Sequence, residues 1–132
     1  GNYPYGIILE DSTFTNICEN QITGLRGISL KRSCYNNISD NILIGQGSSF
    51  NYGYLGLDLM ENSSYNLITD NIFRNLRTCI NSRTSNYNVI RGNILTFYYS
   101  GVGIYMHSGS YNKITTNIVS NVIPEYSNSY YI

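Results

Sequence analysis

The chain has 132 residues with eight basic and eight acidic side chains, and this zero net charge excludes the positive field that a nucleic-acid groove or a polybasic membrane-surface patch requires. Hydrophobic residues make up 42% and suffice for one core over residues 1–132, while charged residues reach only 12%, against roughly 25% in ordinary soluble domains. Ala is absent, whereas Asn occurs 19 times, Ile 18, Ser 16 and Tyr 14, a composition that disfavours helices and favours strands joined by tight turns.

In chain order, the first predicted strand is Gly6-Ile7-Ile8-Leu9, followed by Phe14-Thr15-Asn16-Ile17-Cys18-Glu19-Asn20-Gln21. The pair then returns. Gly27-Ile28-Ser29-Leu30 precedes Tyr35-Asn36-Asn37-Ile38-Ser39-Asp40-Asn41-Ile42. Residues 45–53 are rich in Gly and Ser and read as a polar loop inserted at one corner. Gly56-Leu57-Asp58-Leu59 precedes Tyr65-Asn66-Leu67-Ile68-Thr69-Asp70-Asn71-Ile72, and Cys79-Ile80-Asn81-Ser82 precedes Tyr87-Asn88-Val89-Ile90-Arg91-Gly92-Asn93-Ile94. The last pair is Gly103-Ile104-Tyr105-Met106 with Tyr111-Asn112-Lys113-Ile114-Thr115-Thr116-Asn117-Ile118. Repeats starting near 6, 27, 56, 79 and 103 give a period of about 24 residues, in the range of solenoid repeats. Short runs of period-two alternation make three strands per turn, each pairing with its counterpart one coil above. The predicted fold is all-β, a right-handed parallel β-helix of about five coils.

Equivalent residues then stack. Asn20, Asn41, Asn71, Asn93 and Asn117 form one predicted ladder, since an amide carries both donor and acceptor and Asn tolerates the left-handed conformation of a tight corner. Asn36, Asn66, Asn88 and Asn112 form a second, with Thr15 beneath. Ile17, Ile38, Ile68, Ile90 and Ile114 fill the interior.

The pattern Gly-Ile-x-Leu, then Tyr-Asn-x-Ile-x-x-Asn-Ile, over roughly residues 6–123, resembles the parallel β-helix repeat of the pectin-lyase-like superfamily, closest to the Asn-rich repeats of NosD-type periplasmic proteins and of surface proteins. The resemblance implies an extracellular or cell-surface location. It leaves function open, because the superfamily includes polysaccharide lyases, hydrolases and epimerases, adhesins and surface-layer modules. The first reading is a non-catalytic structural or interaction module that self-associates as a homo-oligomer, filament or lattice and contacts polysaccharide. The alternative is a lyase or epimerase acting on acidic polysaccharide.

The resemblance implies that any catalytic site lies on the outer face of the first sheet. The outward columns there are Ile8, Ser29, Asp58, Asn81, Tyr105 and Glu10, Lys31, Met60, Arg83, His107. Asp58, Arg83 and His107 are the candidate acid/base and charge-neutralising groups of the enzyme reading; the same face also reads as a solvated surface of mixed charge. Tyr35, Tyr65, Tyr87 and Tyr111 recur at one position above Phe14 and, with Tyr105, are the candidate ligand-binding residues, either an aromatic interaction surface or corner packing. Tyr98, Tyr99, Tyr126, Tyr130 and Tyr131 add aromatic material of the same kind.

Asn37 and Asn62 begin glycosylation sequons. Cys18, Cys34 and Cys79 have no metal-ligand spacing and read as small buried or half-buried residues, with one disulfide plus a free thiol as the alternative. The resemblance to NosD-type proteins raises copper, but the soft donors are scattered, and neither a metal nor any other cofactor is expected. No stretch has the roughly 20 apolar residues of a membrane span. The chain begins at Gly1 without a signal peptide and reads as a mature chain, a fragment of a longer protein or a unit of an assembly. Pro4 and Pro124 stand near the two ends of the repeat and read as terminators.

Overall fold

The computed structural model describes residues 4–46 and 54–122. The chain winds as a parallel β-solenoid with three strand columns. The first column stacks β1 (Tyr5–Glu10), β4 (Arg26–Lys31), β7 (Leu55–Met60) and the C-terminal halves of β9 (Ile72–Arg83) and β11 (Ile94–His107). The second stacks β2 (Asn16–Cys18), β5 (Asn37–Ser39), β8 (Leu67–Thr69), β10 (Val89–Arg91) and β12 (Lys113–Thr115). The third holds β3 (Gln21–Gly24), β6 (Ile42–Gly45), the N-terminal halves of β9 and β11, and β13 (Ile118–Val122). Because β9 and β11 run straight through the corner between columns three and one, those two columns share one eight-stranded sheet, and the second column is a separate five-stranded sheet. Each column is five strands deep, so about four turns separate its first strand from its last, a minor difference from the coil count the repeats predict.

The register is the one the repeats dictate: Ile17, Ile38, Ile68, Ile90 and Ile114 stand over one another. Ile38, Ile68 and Ile90 are completely buried, as are Ile28, Leu57 and Ile80 in the first column and Phe73 and Leu95 in the third. Gly27, Gly56 and Cys79 form one column in the first sheet, against which Leu43 and Phe73 of the third column pack. A Cβ on Gly56 would come to 2.5 Å from the carbonyl oxygen of Cys79 and 2.6 Å from Phe73 Cδ1, so glycine is required there. Cys79 is the one member of that column with a side chain pointing into the core, and burial pushes its thiol up to about 12.

Both asparagine ladders form. The Asn41 main-chain N–H and Nδ2 each donate to Asn71 Oδ1 at 3.0 Å, and Asn71 and Asn93 repeat this to the rung above. The second ladder runs from Thr15 N–H to Asn36 Oδ1, then through Asn66 and Asn88 to Asn112. The left-handed conformation, however, does not fall on these asparagines. It falls on the residue before each: Glu19, Asp40, Asp70, Gly92 and Thr116 before one ladder, and Phe14, Tyr35, Tyr65, Tyr87 and Tyr111 before the other, all with φ between 54° and 68°. The left-handed residue turns the chain so that the next side chain points inward, where an amide can serve the corner's main-chain groups.

A third polar ladder obeys the same rule. Ser12, Ser33, Ser63 and Ser85 follow Asp11, Arg32, Asn62 and Thr84, each at positive φ. Ser12 N–H donates to Ser33 Oγ at 3.1 Å and Ser33 N–H to Ser63 Oγ at 3.2 Å.

Candidate functional site

On the outer face of the first sheet, register alone brings Ser29, Asp58, Asn81 and Tyr105 onto successive rungs, with Lys31, Met60, Arg83 and His107 two residues on. One of the two sequence readings of this face takes it as a solvated surface of mixed charge. The structure corrects that for its centre: Ser29, Asp58 and Asn81 are 3%, 1% and 6% exposed. The cause is a cover of longer side chains. Tyr5 reaches across two rungs to donate its hydroxyl to Asp58 Oδ2 at 2.8 Å, and Arg26 lies over the Tyr5 ring, 5.1 Å from its centroid, while donating to the Tyr5 hydroxyl at 3.2 Å. Asn81 Nδ2 donates to Asp58 Oδ1 at 2.6 Å, and Arg83 stands 3.9 Å from Oδ2. Both carboxylate oxygens of Asp58 are therefore engaged. Burial, and then the bond to Asp58, push the Tyr5 phenol up to about 12.

Asp58 and Arg83 thus meet, and His107 follows Arg83 on the next rung, its ring parallel to that of Tyr105 with centroids 6.4 Å apart. Tyr105 and His107 are exposed. Beside them lies an open concavity of about 400 Å³ whose lining includes Tyr54, Arg77, Asn81, Arg83 and Tyr105. Two guanidinium groups, a side-chain amide and an exposed aromatic ring suit a sugar carrying negative charge. For proton transfer the arrangement is poor, because its carboxylate is covered and hydrogen-bonded on both oxygens; the solvent-facing titratable groups are His107 and Tyr105. Sequence reasoning missed Tyr5 and Arg26. Their position, three residues ahead of the outward column, was visible, but a contact spanning two rungs depends on side-chain reach, which a repeat pattern does not record.

The rest of that face is ionic. Arg32 binds Asp11 at 2.7 Å, Glu10 at 2.7 Å and Glu61 at 2.6 Å, and Lys31 lies 3.3 Å from Glu10. The Arg32 guanidinium holds the carboxyls of Glu10 and Asp11 below the usual carboxylate range. All these groups are substantially exposed, so the network carries solubility more than stability.

The aromatic column is both exposed and stacked. Tyr35, Tyr65, Tyr87 and Tyr111 have successive centroids 4.9 Å apart and planes within 9°, with Phe14 5.6 Å below Tyr35. Each inner ring is covered on both faces by its neighbours. What Tyr35, Tyr65 and Tyr87 offer to solvent is ring edge and hydroxyl; only Phe14 and Tyr111 keep a face uncovered by the stack, and they are 79% and 77% exposed. Tyr99 (its side chain), Tyr126, Tyr130 and Tyr131 lie outside the described residues, as does most of the inserted loop.

Asn62 is exposed at a corner with φ 65°, whereas Asn37 is half-buried in β5, so Asn62 is the accessible sequon. All three cysteines are free thiols: Cys18 is exposed on the second sheet, Cys34 half-buried and Cys79 buried.

Taken together, the winding, the ladders and the exposed stack define a parallel β-solenoid repeat protein whose polar residues are mostly spent on holding its corners. The family model described as "Periplasmic copper-binding protein (NosD)" matches residues 1–130, and the chain belongs to that family. No curated protein and no solved structure matches it. No helix among the described residues is long and apolar enough to cross a membrane.

The family description makes copper a test. The soft donors of the whole chain are His107, Met60, Met106 and the three cysteines. They do not converge. Met106 is a half-buried member of the inward-facing column that continues Leu30, Leu59 and Ser82, His107 points outward beside Arg83, Cys79 is sealed in the core, and Cys34 donates its thiol to the Asn62 carbonyl at 3.3 Å while accepting from Ser64 N–H at 3.4 Å. Among the described residues no three His, Cys, Asp or Glu side chains gather as metal ligands. The residues present do not fit a copper centre within one chain.

Proposed function

We propose that this chain is a non-catalytic interaction module working outside the cytoplasm, at the cell surface or in the periplasm, which self-associates and contacts acidic glycan through the concavity lined by Arg77, Arg83 and Tyr105. Family membership supports the location. The observation that carries the non-catalytic reading is the state of Asp58: 1% exposed, with Tyr5 and Asn81 on its two oxygens. A carboxylate so held fixes Tyr5 and Asn81 in place and is closed to a sugar C–H bond. Arg77, the largely exposed Arg83, whose guanidinium stands 3.9 Å from Asp58, and the exposed Tyr105 line the concavity and offer charge to a ligand carboxylate and a ring to a sugar.

Affinity electrophoresis in acidic polysaccharide tests the reading. Retardation of the wild-type chain is expected, with Arg77→Ala and Arg83→Ala each reducing it and Asn62→Ala leaving it unchanged. Release of unsaturated or epimerised uronate by the wild type, lost in the triple substitution of Asp58, Arg83 and His107 by Ala, would replace this proposal with the lyase or epimerase alternative.

A further inference from the structure

The outer face of the third column is apolar. In four of the five repeats the ladder asparagine is followed by isoleucine, and Ile42, Ile72, Ile94 and Ile118 stand over one another. The residues on either side of Ile72, Asn71 and Phe73, are completely buried, so Ile72 points outward. Ile44 lies beside this column, two residues on from Ile42. Ile94 is 39% exposed, and Ile42, Ile44 and Ile72 are half-buried. A continuous apolar stripe on a sheet surface marks a place of contact.

At the Ile72 rung the stripe is flanked by opposite charges. Asp70 stands two residues before Ile72 and Arg74 two residues after, and both are exposed. Acid, apolar side chain and base thus follow one another along a single outward line. Among the described residues, Asp70 and Arg74 enter no ion pair, whereas Glu10, Asp11 and Glu61 on the first face are all held by Arg32.

Such a line is complementary to itself. When a second copy is turned over by a two-fold axis parallel to the solenoid axis and passing through Ile72, the strand direction reverses while each rung keeps its level. Asp70 of each copy then faces Arg74 of the other, on both sides of an Ile72–Ile72 contact. A two-fold axis along the strand would instead set Asp70 against Asp70 and Arg74 against Arg74. Charge therefore selects the first arrangement. We propose that the outer face of the third column, centred on Ile72, is the docking surface for the same face of a second copy of this chain, with the two solenoids side by side and parallel. The contact covers Ile42, Ile72 and Ile94 and forms two Asp70–Arg74 ion pairs. It is isologous and closes on itself, so its product is a dimer. The face is small, which places the dimer among weak, concentration-dependent associations. The proposal deepens the self-association reading and rests on it.

The test is a charge exchange between two chains. Arg74→Asp leaves only acids at the two flanking positions, and Asp70→Arg leaves only bases. Both positions are exposed, and the left-handed conformation of Asp70 accepts an arginine, as Arg32 at φ 49° shows. Circular dichroism verifies that each variant keeps the wild-type strand spectrum. By sedimentation velocity the wild type is expected to pass from monomer to dimer as concentration rises, and each variant to stay monomeric over the same range. An equimolar mixture of the two variants is expected to recover the dimer, because every acid then meets a base. Variants that dimerise as the wild type does, or a mixture that stays monomeric, would overturn this contact and leave self-association standing through another face. A wild type monomeric at every concentration would overturn both. Ile94→Asp then separates the remaining occupants: a lowered urea midpoint in that monomer means that the chain covers the face itself, and an unchanged one that the face is open to a different partner; either outcome excludes the second copy.

Discussion

Asn93 Oδ1 receives two hydrogen bonds from one residue, the main-chain N–H and the side-chain amide of Asn71, both at 3.0 Å. Asn71 also donates from Nδ2 to the Ile38 carbonyl at 2.9 Å and accepts two bonds from Asn41. Replacing Asn71 by Ala strands the Asn41 N–H and the Ile38 carbonyl in a dry corner. A loss of about 3–5 kcal/mol is expected from urea unfolding. At the exposed end of the same ladder, Asn20→Ala is expected to cost under about 1 kcal/mol, because water replaces the lost partner.

The aromatic column makes a different prediction. Tyr65 stacks against Tyr35 and Tyr87, and its hydroxyl faces solvent. Tyr65→Phe keeps both ring contacts and is expected to be neutral. Tyr65→Ala loses both and is expected to cost about 1–3 kcal/mol in thermal or urea unfolding. An equal loss for the two variants would mean that the hydroxyl, and not the stack, stabilises the corner.

Tyr5 gives the molecule an alkaline sensitivity. Its phenol is raised from 10.0 to about 12 by burial and by the bond to Asp58. A group whose folded value exceeds its unfolded value contributes stability that is complete below the unfolded value and is lost as pH climbs through the folded one. The urea midpoint is therefore expected to fall between about pH 10 and 12. Tyr5→Phe should lower stability at neutral pH and flatten that fall. A variant with the same alkaline slope as the wild type would show that other groups govern it.

Ser82 occupies an inward-facing position that Leu30 and Leu59 fill in the rungs below, and its buried hydroxyl has no hydrogen-bond partner among the described residues. Ser82→Ala removes the unsatisfied oxygen without added bulk. A gain of about 1 kcal/mol is expected, read as a higher urea midpoint.

Copper supplies a fifth prediction. Because the soft donors do not converge, Met60 and His107 sharing one outward column but standing two rungs apart with Arg83 between them, titration with copper(I) against a chromogenic chelator is expected to show no stoichiometric site that survives competition. Stoichiometric retention abolished by His107→Ala would overturn this and would require a centre assembled from more than one chain.

The winding and register were legible in the sequence because a solenoid writes its geometry as a period: the Asn-x-Ile-x-x-Asn spacing assigned both amide ladders and the isoleucine column to their places. The corner rule was read one residue out of position. Asparagine tolerates the left-handed conformation, so it drew the assignment, yet Tyr, Asp and Glu adopt it here to let the following amide or hydroxyl turn inward. The serine ladder was passed over for the same reason, its repeating mark being a left-handed residue of varying identity before each Ser. At the candidate site, Asp58 and Arg83 could be paired from column arithmetic. The burial of Asp58 could not, since it depends on the Tyr5 ring spanning two rungs with Arg26 across it.

Each inner rung is bounded above and below by a similar cross-section, so gaining or losing one whole repeat of about 24 residues away from the Tyr5–Arg26–Asp58 contact keeps the pattern of corners, columns and ladders. Length is thereby uncoupled from shape: tandem duplication or deletion in the gene can reset how far such a rod reaches without calling for any compensating substitution.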